Sequence, residues 1–206
     1  MQKGSPICII MATILEAQPF IDALSLSEAE RRPFKLYKNE DIFLVISGIG
    51  KANAAMAAVL CWHRFKPGLM YNLGAAGSLK PEYSLGDIFH ISEAIEYDRP
   101  HLRSGEIRIH TPSVLRGFQT VILATKDIPV VDPEERQEMA RNADLVDMEG
   151  ASIAHACRKL DKGCAIFKFV SDTPDHSDHH DIVENIKYYR TSFCELILDQ
   201  VLSVIP

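Results

Sequence analysis

No stretch of this chain is apolar for long enough to cross a bilayer, and no cleavage pattern follows its early hydrophobic run, Ile7 to Ile14. Membrane insertion and export are therefore not expected. Paired cysteine spacing is missing too: Cys8, Cys61, Cys157, Cys164 and Cys194 are scattered, and an odd number cannot close into intrachain disulfides. The expected setting is a reducing cytoplasm. Positive charge is in deficit, with 22 Lys and Arg against 28 Asp and Glu, a formal net charge of −6. Nucleic acid and anionic membranes, which need a basic surface, are poor partners for such a chain. Repeats, low-complexity tracts and linkers are also absent, so residues 1–206 are read as one domain. Hydrophobic residues at 47% and charged residues at 24% are ordinary for a globular protein, and small-molecule chemistry fits this balance best.

What is present is an alternation of short apolar runs and helical periods. Pro6 to Ala12 is a continuous apolar run that predicts a buried strand. Helical spacing from Ile14 to Leu26 then places Glu16 at a junction between strand and helix, where open α/β sheets put their ligands. Asp41–Ser47 predicts another strand, followed by the turn Gly48-Ile-Gly-Lys51 and an Ala-rich helix over Asn53–Phe65. A strand over Gly68–Leu73 is expected to break at Gly74-Ala-Ala-Gly77, and Ile88–Ile95 follows as the next. Glu96 to Gln119 reads as irregular, with one short strand near Ile107. Beyond it come a strand at Val121–Ala124, a helix capped by Asp132 with Pro133 in its first turn, and a helix from Glu149 to Leu160. Ala165–Ser171 predicts a buried strand ending at Asp172, and Ile182–Ile205 a long amphipathic helix. The fold class expected is α/β, a three-layer α/β/α sandwich around a twisted, mostly parallel sheet.

Each motif has a bland reading beside the functional one. Ser47-Gly-Ile-Gly-Lys51 lacks the third glycine of a dinucleotide fingerprint and the Lys-Ser/Thr ending of a phosphate loop, so alone it is a tight turn. A nicotinamide-dependent oxidoreductase would need that full fingerprint and an acidic ribose-binding residue, and neither is evident. The run Asp175-His-Ser-Asp-His-His-Asp181 could ligate a cation, but it lies ahead of a helix without an apolar shell and is read as a polar loop beside the site; no metal and no cofactor are expected. Glu16, Glu149 and Asp172 each stand at a predicted strand end, where a single acid is usually a cap or a solvated charge. Together they could cleave an N-glycosidic bond. That reaction needs an acid for the departing base, a base for water on the opposite face, and a group to fix the sugar hydroxyls.

The order and spacing of several segments resemble the nucleoside phosphorylase superfamily, most closely its methylthioadenosine/S-adenosylhomocysteine nucleosidase branch. They are Ile9-Ile-Met-Ala-Thr-Ile-Leu-Glu16, Ser47-Gly-Ile-Gly-Lys51, Asn72-Leu-Gly-Ala-Ala-Gly77 with Leu85-Gly-Asp-Ile88, Val146-Asp-Met-Glu149 with Ala154-His-Ala156, and Ser171-Asp172. The resemblance implies a purine nucleoside as the small-molecule partner. It makes Asp172 the proton donor to N7 of the base and Glu16 the acceptor of a proton from water. Glu149 would take hydrogen bonds from the ribose hydroxyls, Met148 would pack on the sugar, and Ile49, Ala76 and Gly77 would line the site. Thr125–Val130 is the candidate segment for holding the base, and a homodimer or larger homo-oligomer is implied. For Asp172 to act as an acid near neutrality, burial or neighbouring carboxylates must raise its pKa.

Phosphate-using relatives carry Arg where this chain has Asn72, and a Gly-containing turn where it has Glu16. A carboxylate at position 16 repels phosphate and suits water, so hydrolysis is expected over phosphorolysis. A nucleoside-binding protein without turnover is the alternative from another class, and the presence of all three acids argues against it. The chain departs from the nucleosidase pattern at Ala75, usually Ser, and Lys168, usually Arg, and is short between Glu96 and Val121. The 5′ substituent is therefore left open, with futalosine-type and adenosylhopane-type nucleosidases as alternatives.

Overall fold

The computed structural model describes residues 5–174 and 179–203. The Asp175–Asp181 run thus falls mostly outside the described residues. The first strand, β1 (Ile7–Met11), leads into helix α1 (Ile14–Ala23). A hairpin of β2 (Ser27–Glu30) and β3 (Lys35–Lys38) precedes β4 (Ile42–Ile46) and α2 (Lys51–Phe65). Next come β5 (Leu69–Ser78), β6 (Ile88–Glu96), β7 (Arg108–His110) and β8 (Thr120–Thr125). Helix α3 (Pro133–Met139), β9 (Leu145–Asp147), α4 (Gly150–Lys159), β10 (Gly163–Asp172) and α5 (His179–Leu196) complete the order, with a π-helical extension over Ile197–Leu202.

The fold is α/β with helices on both faces of a central sheet, and the sheet is mixed. β1 pairs in parallel with β4 and β5, β5 with β10, and β8 with both β6 and β9. The pairs β5–β9, β6–β10, β6–β7 and the β2–β3–β4 margin are antiparallel. Because β10 contacts both β5 and β6, the strands β5, β10, β6, β8 and β9 form a closed ring, from which β1, β4, β3 and β2 continue as an open sheet. The apolar strands read as continuous runs because both faces are covered. Cys8 and Ile10 face α2 and α4 together with Ala54, Ala57, Cys61 and Ile153. Ile9 and Met11 face α1 and α5 together with Phe20, Phe193 and Ile197. Alanines on α2 keep that helix close to the sheet, which explains its composition.

No strand is expected from the sequence over Ser27–Lys38, and one expectation changes. The hairpin β2–β3 has no clean apolar alternation and was not legible; its charged, exposed residues suit a sheet edge. The expected break at Gly74–Gly77 does not occur, since β5 runs through to Ser78. These glycines leave space for side chains. A Cβ on Gly74 would lie 2.6 Å from Glu16 Oε1, and one on Gly77 would lie 2.5 Å from Asp172 Oδ2. Among the described residues no helix is long and apolar enough to cross a membrane.

Candidate active site

Thr13 caps α1 in a reciprocal box: its Oγ1 accepts from Glu16 N at 3.3 Å, while Glu16 Oε2 accepts from Thr13 N at 3.1 Å and Thr13 Oγ1 at 2.6 Å. The other carboxylate oxygen, Oε1, accepts from Ala75 N on β5 at 2.8 Å. Glu16 is thus both a helix cap and a buried carboxylate held against β5.

Glu149 sits at the N-cap of α4 without capping it, because Asp147 takes that role by accepting from Gly150 N at 2.8 Å. Freed from the cap, Glu149 Oε1 reaches across the molecule to accept from Gly50 N at 2.8 Å. Gly50 has φ +101, a conformation that favours glycine, and Lys51 N donates to Asp127 Oδ1 at 2.7 Å. The amides that open α2 therefore already bind internal carboxylates, which is why the turn is no phosphate loop here.

Lys168, fully buried on β10, places Nζ 2.8 Å from Asp147 Oδ2. Burial alone would push its pKa down, but Asp147, Glu149 and Glu16 together hold it above the ordinary lysine value. Glu149 responds in the opposite sense: burial, then the negative charge of Asp147, pushes it up to about 7, against the opposing pull of Lys168 and the Gly50 amide.

A bulge between Val170 and Asp172 brings Asp172 into register with Gly77. Its Oδ1 accepts from Ser171 Oγ at 2.7 Å, and its Oδ2 pairs with the guanidinium of Arg136, which is itself buried. Asp172 is buried, as the sequence argument required, yet its charged neighbour is a cation rather than a carboxylate. The carboxyl pushed up to about 7 is Glu149.

All seven residues singled out from the sequence, Glu16, Ile49, Ala76, Gly77, Met148, Glu149 and Asp172, border one cavity of about 320 Å³. Ile128, Pro129 and Val130 of the candidate base-holding segment line it, whereas nothing between Glu96 and Gln119 does. Sequence reasoning missed Arg136, which reaches the cavity from α3, and the apolar wall of Ile182, Val183 and Ile186 on α5. The segment Pro133–Met139 is so charged that it resembles a solvated helix face, and no local signal distinguishes the buried arginine.

Away from the cavity, Glu96, His110 and His155 could approach a cation, and this is the grouping of that kind among the described residues. Arg99 Nη2 already lies 2.7 Å and 3.0 Å from the two Glu96 oxygens and 3.3 Å from His155 Nδ1. A protein cation thus balances the carboxylate.

Residues 6–203 match the family model described as the phosphorylase superfamily. The chain belongs to that superfamily. Among its superfamily relatives, a 5′-methylthioadenosine/S-adenosylhomocysteine nucleosidase from Buchnera aphidicola is 26% identical over 208 residues, covering 86% of this chain and 90% of the relative. An aminodeoxyfutalosine nucleosidase from Campylobacter jejuni is 28% identical over 174 residues, covering 73% and 76%. The superfamily fold is seen again in the apo 5′-methylthioadenosine nucleosidase of Arabidopsis thaliana, with a TM-score of 0.87 at 21% identity over 98% of this chain and 96% of that one.

The raised pKa of Glu149 gives a signed stability prediction. The folded protein holds this proton up to about pH 7, whereas the unfolded chain releases it near the ordinary glutamate value of 4.5. Stability from this group is full below the lower value and is lost as pH rises through the upper one. Glu149→Gln is expected to melt higher than the unsubstituted protein at about pH 8 and equally at about pH 4, because the buried charge is gone while Gly50 keeps an acceptor. Thermal melts at both pH values check this; an equal difference at the two would exclude the assigned titration.

Proposed function

We propose that this protein hydrolyses the N-glycosidic bond of a purine nucleoside, one modified at the 5′ position, releasing the base and a free sugar. The observation that carries this reading is the convergence of Glu16, Glu149 and Asp172, from three separate elements, on one cavity. Asp172 faces the base and, once it has taken up a proton, delivers it to N7 and returns to the ionised form that pairs with Arg136. Glu16 lies across the cavity at the start of α1, held by Thr13 and Ala75 in a fixed orientation, and takes a proton from the attacking water. Glu149, in its ionised form, accepts from the ribose hydroxyls, with Met148 against the sugar. The nucleosidase names of the relatives support the same class of chemistry.

Water is favoured over phosphate by charge. Glu16 and Glu149 both border the space a nucleophile would occupy, and Asn72 is buried with its amide donating to Ile10 O at 3.2 Å. The cations bordering this acidic cluster are committed, Lys168 to Asp147 and Arg136 to Asp172. The α5 wall of Ile182, Val183 and Ile186 suits an apolar 5′ substituent. A homodimer or larger homo-oligomer in the cytoplasm belongs to this reading, and Ile49, just ahead of α2, with Met56 and Val59 on that helix offer exposed apolar surface for it.

The test is base release from methylthioadenosine, S-adenosylhomocysteine, adenosine, inosine and futalosine, with and without phosphate, following the sugar by mass. Free sugar formed at equal rates in both conditions is expected. Sugar 1-phosphate formed only with phosphate would make the protein a phosphorylase.

A further inference from the structure

Glu96 closes β6, His110 closes β7, and His155 stands on α4, which packs against both strands. Antiparallel pairing sets Ala94 opposite His110 and Glu96 opposite Arg108, so Glu96 and His110 are diagonal neighbours on one face of this ribbon. Helix α4 covers that face and stacks the His155 ring on that of His110, with centroids 4.7 Å apart. None of the three residues borders the catalytic cavity.

Two features single the cluster out. His110 is buried, yet neither of its ring nitrogens has a hydrogen-bond partner among the described residues. Its Nε2 stops 3.6 Å from Glu96 Oε2. Buried polar groups are nearly always paired, and a neutral imidazole always keeps one lone pair to give. The second feature is Arg99, whose Nη2 lies 2.7 Å and 3.0 Å from the Glu96 oxygens and 3.3 Å from His155 Nδ1. Guanidinium can only donate, so His155 turns the lone pair of Nδ1 into the cluster. A cationic nitrogen therefore stands among these donor atoms, and it belongs to a half-exposed side chain that is free to withdraw into solvent.

We propose that Glu96, His110 and His155 bind a divalent transition-metal ion of the Zn²⁺ type, and that Arg99 takes the ion's place in the metal-free protein. Two imidazoles and a carboxylate suit such an ion, whereas Mg²⁺ and Ca²⁺ prefer oxygen alone. Ligand bonds of about 2.0–2.2 Å around a tetrahedral ion hold the donor atoms about 3.3 Å apart. Here Glu96 Oε2 and His110 Nε2 are 3.6 Å apart, Glu96 Oε1 and His155 Nδ1 are 3.9 Å apart, and one donor atom from each residue lies within 4.8 Å of the other two. Modest side-chain rotation closes the set, and water fills the fourth position. The ion ties β6 and β7 to α4 and does not depend on the nucleosidase reading.

Calorimetry with zinc chloride on the chelator-stripped protein, paired with the visible spectrum of the cobalt-loaded protein, tests the site. One ion per chain is expected, with the bands of Co²⁺ held by nitrogen and oxygen; thiolate charge-transfer bands would point to cysteine ligands and overturn the assignment. His110→Ala and His155→Ala are each expected to weaken binding by about 100-fold or more, since even a residue behind a metal ligand is worth about 10- to 100-fold. His155 is only partly buried, so its variant gives the answer even where His110→Ala does not fold. Arg99→Ala is expected to tighten binding several-fold, because the competing cation is gone, and a merely structural ion pair would not give that result. The rival source of ligands is the Asp175–Asp181 run, so replacing His176, His179 and His180 together with alanine is the control, and binding is expected to persist. Binding absent from both the unsubstituted protein and Arg99→Ala would overturn the proposal. So would binding that survives His110→Ala and His155→Ala but is lost in the triple variant.

Discussion

Asp172→Asn is expected to lower turnover by about 10²- to 10⁴-fold, the range for loss of a general acid, while nucleoside affinity changes only a few-fold. The asparagine keeps the shape of the side chain. Its Oδ1 can still accept from Ser171 or Arg136, so the space opposite Gly77 stays filled and the base still finds a donor or acceptor there. What is lost is a carboxyl group that can take up a proton and pass it to the base. Single-turnover kinetics with equilibrium binding separate the two effects, and near-normal turnover in the variant would remove Asp172 from the reaction. Some stability is lost as well, because Arg136 becomes a buried cation whose neighbour no longer carries charge.

Lys168→Met is expected to destabilise the protein by about 3–5 kcal/mol, the typical effect of deleting one member of a buried ion pair. The lysine is surrounded by acids: Asp147 at 2.8 Å, with Glu149 and Glu16 near enough to hold it charged. Methionine fills a similar volume but leaves these carboxylates to repel one another in a dry site. Activity should fall with stability, since Glu16 and Glu149 share the same field. Urea unfolding measures the loss, and adding Asp147→Asn to Lys168→Met should restore part of it, because one of the uncompensated charges is then removed. Additive losses in the double variant would show that the pair does not act as a unit.

The parts of the molecule legible in the sequence were those whose signals are local. Ile7–Met11 and Gly163–Asp172 are buried on both faces, so their apolar runs announce strands, and the acids that follow such runs stand where α/β folds gather ligands. Asp132 before Pro133 announces α3 by capping chemistry alone. Partners distant in the chain were not legible. Glu149 resembles a cap in sequence, but Asp147 displaces it from that role and Gly50, 99 residues away, receives it. Gly74 and Gly77 resemble a turn because glycine most often serves backbone freedom, whereas here they make room for Glu16 and Asp172. Arg136 could not be told from the charged residues beside it, because its burial depends on β5 and β10 reaching it from elsewhere.

The closed ring of strands also bears on the order in which the molecule becomes competent. Gly77 and Asp172 lie on strands separated by nearly half of the chain, and they come into register only when β10 is laid between β5 and β6. Such distant pairing follows the loss of chain entropy that brings the strands together. Among the described strands β10 is the last to leave the ribosome, so every earlier intermediate lacks one wall of the cavity. The catalytic geometry is therefore a late product of folding, and a partly folded chain carries the acids without the pocket that would let them act on a nucleoside.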